Sequence, residues 1–381
     1  MAKALKVSLN DILEANTLDL EVSREMAIPD LILDWLKLTP ERLNAAIQIL
    51  ERLSQLPDPL REVMNAKHQI DQCQTYCQLV PLGTIALIYE ALPELGAIAA
   101  GLCLKTGNSL ILRGGSETSR TNATIVEILK TALLGAGLPS DCLQLLPVGS
   151  QAGVQDLVIQ DQWINLVIPY GRPSVVKQVL QYATSPVLRS AIGNCYLYWS
   201  PSSSVEAARS VILDSHQGQP DAVNAIEKVL IQRHQNPSTW VMLWNSLRDK
   251  GFEVQGDEEL VTEFPELVLT PELDWSQPFL SKTVAFRLVN NLDEAIAWIN
   301  EHSSGHADCL INDSYQESQQ FALGVNSAST YINTSPRFYR NPKHGDTVFL
   351  GMSNQKGQRR GPISLESLTT VKYIVQGSGS F

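Results

Sequence analysis

The sequence predicts an α/β fold in two domains with mostly parallel sheets, and three observations carry that prediction. Short apolar runs alternate with helical patterns along most of the chain, the order expected when parallel strands are covered on both faces by helices. The 381 residues, 44% of them hydrophobic, are more than one core layer holds. No internal repeat and no low-complexity linker interrupts the pattern, so the domain boundary is a soft one.

The individual elements follow from local signals. Thr39 places a capping hydroxyl before Pro40, and Leu43, Ile47, Leu50 and Leu53 recur at helical spacing, so a helix runs from there to the Leu56-Pro57-Asp58-Pro59 break. Beyond it, Thr84 to Ile88, Ser109 to Leu112, Leu143 to Pro147, Trp163 to Ile168 and Val187 to Leu188 read as strands. Ala97 to Cys103, Asn122 to Leu134 and Pro173 to Gln181 read as the helices between them. A second block starts after Gly193. There Cys195 to Trp199 reads as a strand, and Val205 to Asp214, Ala222 to Leu230, Ser238 to Asp249 and Asp293 to Glu301 read as helices. The chain closes on a strand at Thr369 to Ile374.

Composition excludes several classes of function. Net charge is 29 minus 40, or −11, with no basic run dense enough to follow a phosphate backbone, so nucleic acid is not an expected partner. The six cysteines, at 73, 77, 103, 142, 195 and 309, are sparse and several sit in apolar runs, as in a reducing cytoplasm. The most apolar stretch, Leu82 to Leu104, is interrupted by Glu90, Pro93 and Glu94, which is costly in lipid, so no membrane association is expected. The N-terminus offers no apolar export signal. A cytoplasmic location is the expectation.

Several consecutive stretches resemble one family. Val80-Pro81-Leu82-Gly83, Ile88-Tyr89-Glu90-Ala91, Leu102 to Asn108 and Ile111 to Glu117 are similar to successive signatures of γ-glutamyl phosphate reductase. Gly193-Asn194-Cys195, Ser304-Gly305-His306, Tyr331-Ile332-Asn333, Arg337-Phe338, Arg360-Gly361-Pro362 and Leu368-Thr369-Thr370 continue the likeness in order from about Leu36. The resemblance implies an aldehyde dehydrogenase-like fold. Its parts would be a cofactor-type, Rossmann-like domain with an N-terminal helical segment at 1–192, a catalytic-type domain at 193–338, and a segment at 339–381 returning to the first domain or to a partner subunit. It also implies NADPH-dependent reduction of γ-glutamyl phosphate to glutamate-5-semialdehyde, a step of proline biosynthesis. In that chemistry a thiolate displaces phosphate, the thioester accepts hydride, and an asparagine with backbone N–H groups holds the oxyanion.

The chain departs from the family at the residues that carry this chemistry. The nucleophile follows an Arg-Pro-Ser-x-Cys-Asn pattern, and the matching text is Gln219-Pro220-Asp221-Ala222-Val223-Asn224, with Ala225 and Glu227 keeping register. Val223 has no lone pair with which to attack an acyl phosphate. Glu94 stands at the oxyanion asparagine, where a carboxylate about 4 Å from the developing charge costs about 4 kcal/mol at an effective dielectric near 20. Pro278 stands at the glutamate that steadies the nicotinamide ribose. In the glycine turn, Pro169-Tyr170-Gly171-Arg172 replaces Pro-Arg-Gly-Gly, and Arg172 hinders the backbone from approaching phosphate.

What remains is a nucleotide-type turn of Arg113, Gly114, Gly115, Ser116 and Glu117, a cation and two glycines between strand and helix. Asn224, His306 and Asn333 are the substrate-binding candidates if that function is retained. NADP(H) is the expected cofactor, with binding weakened at the Arg172 end, and no metal is expected: Cys73, Cys77 and His68 form one Cys-x3-Cys pair without a second. Cys103 and Cys195 are expected to be packed small hydrophobes, and His216 to be structural. The function expected is therefore that of a homologue which has lost the catalysis and acts as a binding, regulatory or scaffold protein. Its partners would be a small metabolite or nucleotide, other copies of itself, or an active relative. The alternative expectation is a working glutamate-5-semialdehyde dehydrogenase by a non-standard route, using Cys195 or direct hydride transfer.

Overall fold

The computed structural model describes residues 1–66, 68–70, 73–147, 153–218, 220–357 and 360–377. The chain begins with helices α1 (Ala2–Val7), α2 (Leu9–Glu25), α3 (Asp30–Leu36) and α4 (Pro40–Gln55). There follow β1 (Val63–Asn65), β2 (Cys73–Pro81), β3 (Thr84–Tyr89), α5 (Pro93–Lys105), β4 (Ser109–Arg113), α6 (Ser119–Gly135), β5 (Leu143–Leu145), α7 (Val154–Val158), β6 (Leu166–Tyr170) and α8 (Pro173–Tyr182). The second half carries β7 (Cys195–Trp199), α9 (Val205–Ser215), β8 (Ile226–Gln232), α10 (Pro237–Arg248), β9 (Glu253–Gly256), α11 (Glu258–Glu263) and β10 (Val268–Leu269). After these come β11 (Thr283–Val289), α12 (Leu292–His302), β12 (Ala307–Ile311), α13 (Tyr315–Gly324), β13 (Ser329–Ile332), β14 (Gly351–Ser353), β15 (Gly361–Ile363) and β16 (Thr369–Gly377). Contacts divide the chain into one unit of Met1–Ser190, Arg340–Gly351 and Gln355–Phe381, and another of Ala191–Tyr339 and Met352–Asn354.

The first unit is built on a parallel four-stranded sheet in the order β5-β4-β3-β6. Its central strand β3 is buried from Ile85 to Tyr89, as expected for a strand covered on both faces. Helix α5, entered at Pro93, is buried from Pro93 to Cys103, which explains why this segment reads as apolar all round. Gly101 is needed there because a Cβ would overlap Leu50 of α4. The Thr39 hydroxyl accepts from Arg42 N at 3.3 Å and caps α4, as its sequence signal predicts.

The second unit holds a seven-stranded sheet in the order β10-β9-β11-β8-β7-β12-β13, with every pairing parallel. The helix predicted at Ala222 to Leu230 is instead a turn followed by strand β8. Val229 and Ile231 pack into the core on one face of the sheet and Leu230 into the core on the other. A helix would bury one stripe, whereas this segment buries both sides, which a central strand does. The predicted strand at Trp163 to Ile168 starts later, at Leu166, leaving Trp163 69% exposed, and Val187 makes only an isolated bridge to Val167. Among the described residues no helix is long and apolar enough to cross a membrane.

The segment after Arg340 rejoins the first unit, where β16 pairs antiparallel with β2 along nine residues, from Thr369 opposite Pro81 to Gly377 opposite Cys73. Asn108, 5% exposed, anchors this return. Its Nδ2 donates to Leu368 O at 2.8 Å and its Oδ1 accepts from Gly83 N at 2.8 Å. Asn108→Ala leaves both backbone groups unpaired in the interior, each costing about 1–3 kcal/mol. Urea unfolding should therefore show a loss of ~2–6 kcal/mol, with faster amide exchange in β16 than in the wild type.

Candidate active site

In the second unit Val223, the residue that the resemblance sets at the family's nucleophile, sits on a turn ahead of β8. Ala222 there has φ +23°, in the left-handed region that side-chain-bearing residues disfavour. The Val223 carbonyl accepts from Gly193 N at 2.9 Å and from His306 Nε2 at 2.9 Å, and the Val223 side chain is buried. Gln219, which opens this stretch, lies outside the described residues. His306 is fully buried and its Nδ1 lies 2.8 Å from Ser304 Oγ. Burial pushes its imidazole down to about 4, so it is neutral, and the Nε2 proton goes to the Val223 carbonyl. His306 thus holds backbone. Asn333 is likewise committed: its Oδ1 accepts from Asn312 N at 2.8 Å at the end of β12. Asn224 donates from Nδ2 to Pro336 O at 2.7 Å, while its buried Oδ1 has no partner among the described residues.

Cys195 lies under this turn, its Sγ 3.4 Å from His306 Nε2. It is completely buried, and burial raises its thiol well above the ordinary value, with Asp308 adding to the effect. A neutral imidazole beside a high-pKa thiol is the reverse of the ion pair that activates a cysteine nucleophile. Cys103 is buried in the first unit with its thiol also pushed up by burial. Cys73 and Cys77 lie four residues apart on β2, about 13 Å at strand rise, too far to share a metal. Among the described residues no cluster of metal-ligating groups occurs. His216 Nε2 donates to Ile226 O at 2.8 Å and the ring packs edge-on against Phe252, a structural position.

Sequence reasoning did not identify the hub of this unit, Glu227. Its buried carboxylate accepts from Asn194 N at 2.7 Å, Phe279 N at 2.9 Å and Leu280 N at 2.9 Å. Lys228 beside it is fully buried, donating to Gln277 O at 2.6 Å with its Nζ 3.7 Å from the Phe279 ring centroid. Two adjacent charges inside an apolar strand were the signal, because buried charge needs partners. This network fixes the segment in which Pro278 stands. A Cβ on Gly193 would come within 3.0 Å of Pro278 Cβ, so the proline packs against the glycine that holds Val223.

In the first unit, β3, β4 and β6 end at a second cluster. Glu90 binds Arg172 through a 2.5 Å contact to Nη2 and accepts from Arg172 N at 3.1 Å. Glu117 accepts from Ala91 N at 2.9 Å with its carboxylate folded beneath Gly115, where a Cβ would overlap it. Burial raises the Glu117 carboxyl above its ordinary value. Arg113 keeps a buried Nε with no partner among the described residues, an orphaned donor that fits a nucleotide at this end of the sheet. At the other end, Glu90 and the Arg172 guanidinium already satisfy the turn. Glu94 does not stand as a bare carboxylate: Arg42 pairs with it at 2.6 Å, both side chains about nine-tenths buried. The repulsion expected from sequence is therefore offset by a cation, and what the position lacks is an amide donor.

A parallel four-stranded dinucleotide-type unit and a parallel seven-stranded unit that presents a turn ahead of a central strand define the aldehyde dehydrogenase class of proteins. Residues 36–193 match the model of the aldehyde dehydrogenase family. A propionaldehyde dehydrogenase from Clostridium phytofermentans shares the fold at TM-score 0.67 and 14% identity, covering 96% of this chain and 91% of that one. More specifically, the chain belongs to the γ-glutamyl phosphate reductase family. It is 57% identical over 378 residues to γ-glutamyl phosphate reductase 2 of Synechocystis sp., covering 99% of this chain and 90% of that protein. It is 37% identical to the γ-glutamyl phosphate reductase of Gloeobacter violaceus, covering 100% and 90%. The crystal structure of the Thermotoga maritima γ-glutamyl phosphate reductase superposes at TM-score 0.90 with 31% identity, covering 100% and 92%.

The depressed His306 sets a pH dependence. Its folded value of about 4 lies below the ordinary 6.5, so it contributes stability that is complete above pH 6.5 and is lost as pH falls toward 4. The magnitude is about 3 kcal/mol at 1.36 kcal/mol per pH unit. Asp308, raised by burial to about 6, acts oppositely, losing stability as pH rises from 3.8 to 6. Comparing wild type with His306→Gln isolates the histidine. The stability gap between them should shrink steadily from pH 6.5 to pH 4 in denaturant titrations, and a gap independent of pH would contradict the assignment.

Proposed function

We propose that this chain is a γ-glutamyl phosphate reductase homologue that keeps a nucleotide-binding end, has lost the thioester chemistry, and serves as a binding or regulatory protein. The observation that carries the reading is Val223 at the nucleophile position with a buried, high-pKa Cys195 as the neighbouring thiol. An acyl-enzyme needs a sulfur, and a branched alkyl group cannot be activated by any neighbour. Pro278 offers no acceptor to a ribose and Glu94 offers no donor to an oxyanion. NADP(H), when bound, supplies hydride; in this chain Arg113 and Ser116 would hold its adenosine end. Support for retention is the orphaned Arg113 Nε. Binding is weakened at the other end by the Glu90–Arg172 pair.

A second reading has its own support in the 57% identity to a protein named as a reductase. On it, Cys195 supplies the thiol after the turn opens, or hydride passes directly to the acyl phosphate. Purified protein with NADPH and γ-glutamyl phosphate separates the two. The favoured reading expects no NADPH oxidation above the no-enzyme rate, and none in Val223→Cys, because Glu94 and Pro278 remain. Turnover that disappears in Cys195→Ala would establish the second reading.

The partner reading rests on β16. In the three-stranded sheet β1-β2-β16 it forms an edge of nine residues, exposing Val371, Tyr373 and Val375 on one face and Thr370 and Lys372 on the other. So small a sheet is marginal in water, and an open apolar edge invites another strand. The occupant is a second copy of this chain or an active relative. Light scattering should give a dimer or larger assembly for the wild type, and a smaller species for a Val371→Lys, Tyr373→Lys double variant.

A further inference from the structure

A cavity of about 10 Å³, room for a single water-sized centre, lies in the first unit where the end of α5 meets the entry to β5. Cys103 of α5 and Cys142, the residue just ahead of β5, both line it. Apart from Asn108 the other walls are apolar side chains, among them Ala100, Leu110 and Leu133. The Asn108 amide is saturated. Its Nδ2 donates to Thr106 Oγ1 and to Leu368 O, each at 2.8 Å, and its Oδ1 accepts from Gly83 N at 2.8 Å. The side chains around this cavity therefore offer no uncommitted polar group beyond two thiols, both of them free.

Two cysteines on one cavity this small have at most a water's space to cross. Burial raises the Cys103 thiol and the charge of Cys142 adds to that rise, as expected of neighbouring sulfurs. A disulfide holds its Cβ atoms about 3.5–4.5 Å apart, so a bridge here closes the void. Access differs between the two. Cys142 is half-buried and open to a reagent, whereas Cys103 is buried and is reached across the cavity. Exchange therefore starts at Cys142, whose thiolate attacks one sulfur of a small external disulfide, releases one thiol and leaves a mixed disulfide. The Cys103 thiolate then attacks the Cys142 sulfur, expels the second external thiol and closes the bridge. Two protein thiols are oxidised, the external disulfide is reduced to two thiols, and the two protein protons pass to them. Burial makes both thiolates rare, yet a more basic thiolate is the stronger nucleophile.

Cys103 also bears on β16. Its carbonyl accepts from Asn108 N at 2.8 Å, and Asn108 in turn holds the carbonyl of Leu368, the residue before β16. We infer that Cys103 and Cys142 form a reversible disulfide by exchange with a small disulfide, and that the bridge tightens the Asn108 anchor from which β16 runs. A cross-link that spans β4 and α6 restricts the opened states of this region, and an edge strand such as β16 is where local opening falls. The bridge stands independently of the partner reading given above; only its effect on assembly rests on that reading.

Incubation of the full chain with oxidised glutathione, followed by alkylation and a non-reducing peptide map, tests it. The expected result is one linked pair of peptides joining Cys103 to Cys142, with the other four of the six cysteines alkylated and the bridge reopened by dithiothreitol. Amides of β16 should exchange about tenfold more slowly in the bridged protein than in the reduced one. Cys103→Ala should stop at a glutathione adduct on Cys142, and Cys142→Ser should give neither adduct nor bridge. A glutathione adduct that persists on Cys142 of the wild type, a bridge between other cysteines, or no reaction at Cys142 overturns the inference. A bridge that leaves β16 exchange unchanged overturns the link to the anchor. Slower β16 exchange in a bridged protein that light scattering finds monomeric in both states supports the inference and overturns the partner reading.

Discussion

The Glu227 carboxylate is the interaction on which the second unit depends. It lies inside β8, wholly shielded from water, and gathers three backbone N–H groups from two separate segments of chain. Bonds of this charge-assisted type contribute about 1.5–3 kcal/mol each. Together they offset the several kcal/mol that burying a carboxylate costs. Removing the carboxylate would leave three buried donors unpaired. Through Asn194 it fixes Gly193, and Gly193 in turn fixes the Val223 carbonyl, so the turn bearing the nucleophile position is held by backbone contacts that do not consult the side chain there.

That arrangement explains how the turn is held independently of the side chain at 223. The geometry of residue 223 is set by Gly193, by His306 and by the Ala222 conformation, through bonds to the backbone of residue 223 that do not involve its side chain. A turn held in this way keeps its shape whatever side chain residue 223 carries. In the first unit Arg42 likewise takes up the charge of Glu94 and also donates to the Trp35 carbonyl at 2.9 Å, tying α4 to the end of α3. Glu94 is thus part of the fold's own bonding.

Much of the architecture was legible because periodicity reports burial. Thr84 to Ile88 and Ser109 to Leu112 alternate with helices whose caps and prolines are local features, and a local feature needs no knowledge of distant residues. The segment from Ala222 to Leu230 was misread because a short apolar run buried on two faces is indistinguishable, by pattern alone, from a buried helix. At the candidate site, His306, Asn224 and Asn333 could be located by their motifs, but their commitment to backbone groups depends on partners tens of residues away. Glu227 and Lys228 stood in plain view as charges in an apolar run, and only their bonds gave them meaning.

The sequence by itself determined which atoms are available: a valine at 223 has no sulfur and a proline at 278 has no carboxylate in any fold, because chemical identity is covalent. It also determined the alternation that forces a layered α/β architecture. Tertiary structure alone decided what the remaining groups do. It buried Cys195 and made its thiol hard to ionise, and it paired Glu94 with Arg42. Burial, pairing and dielectric are properties of neighbours brought together through space, and the order of residues along the chain does not contain them.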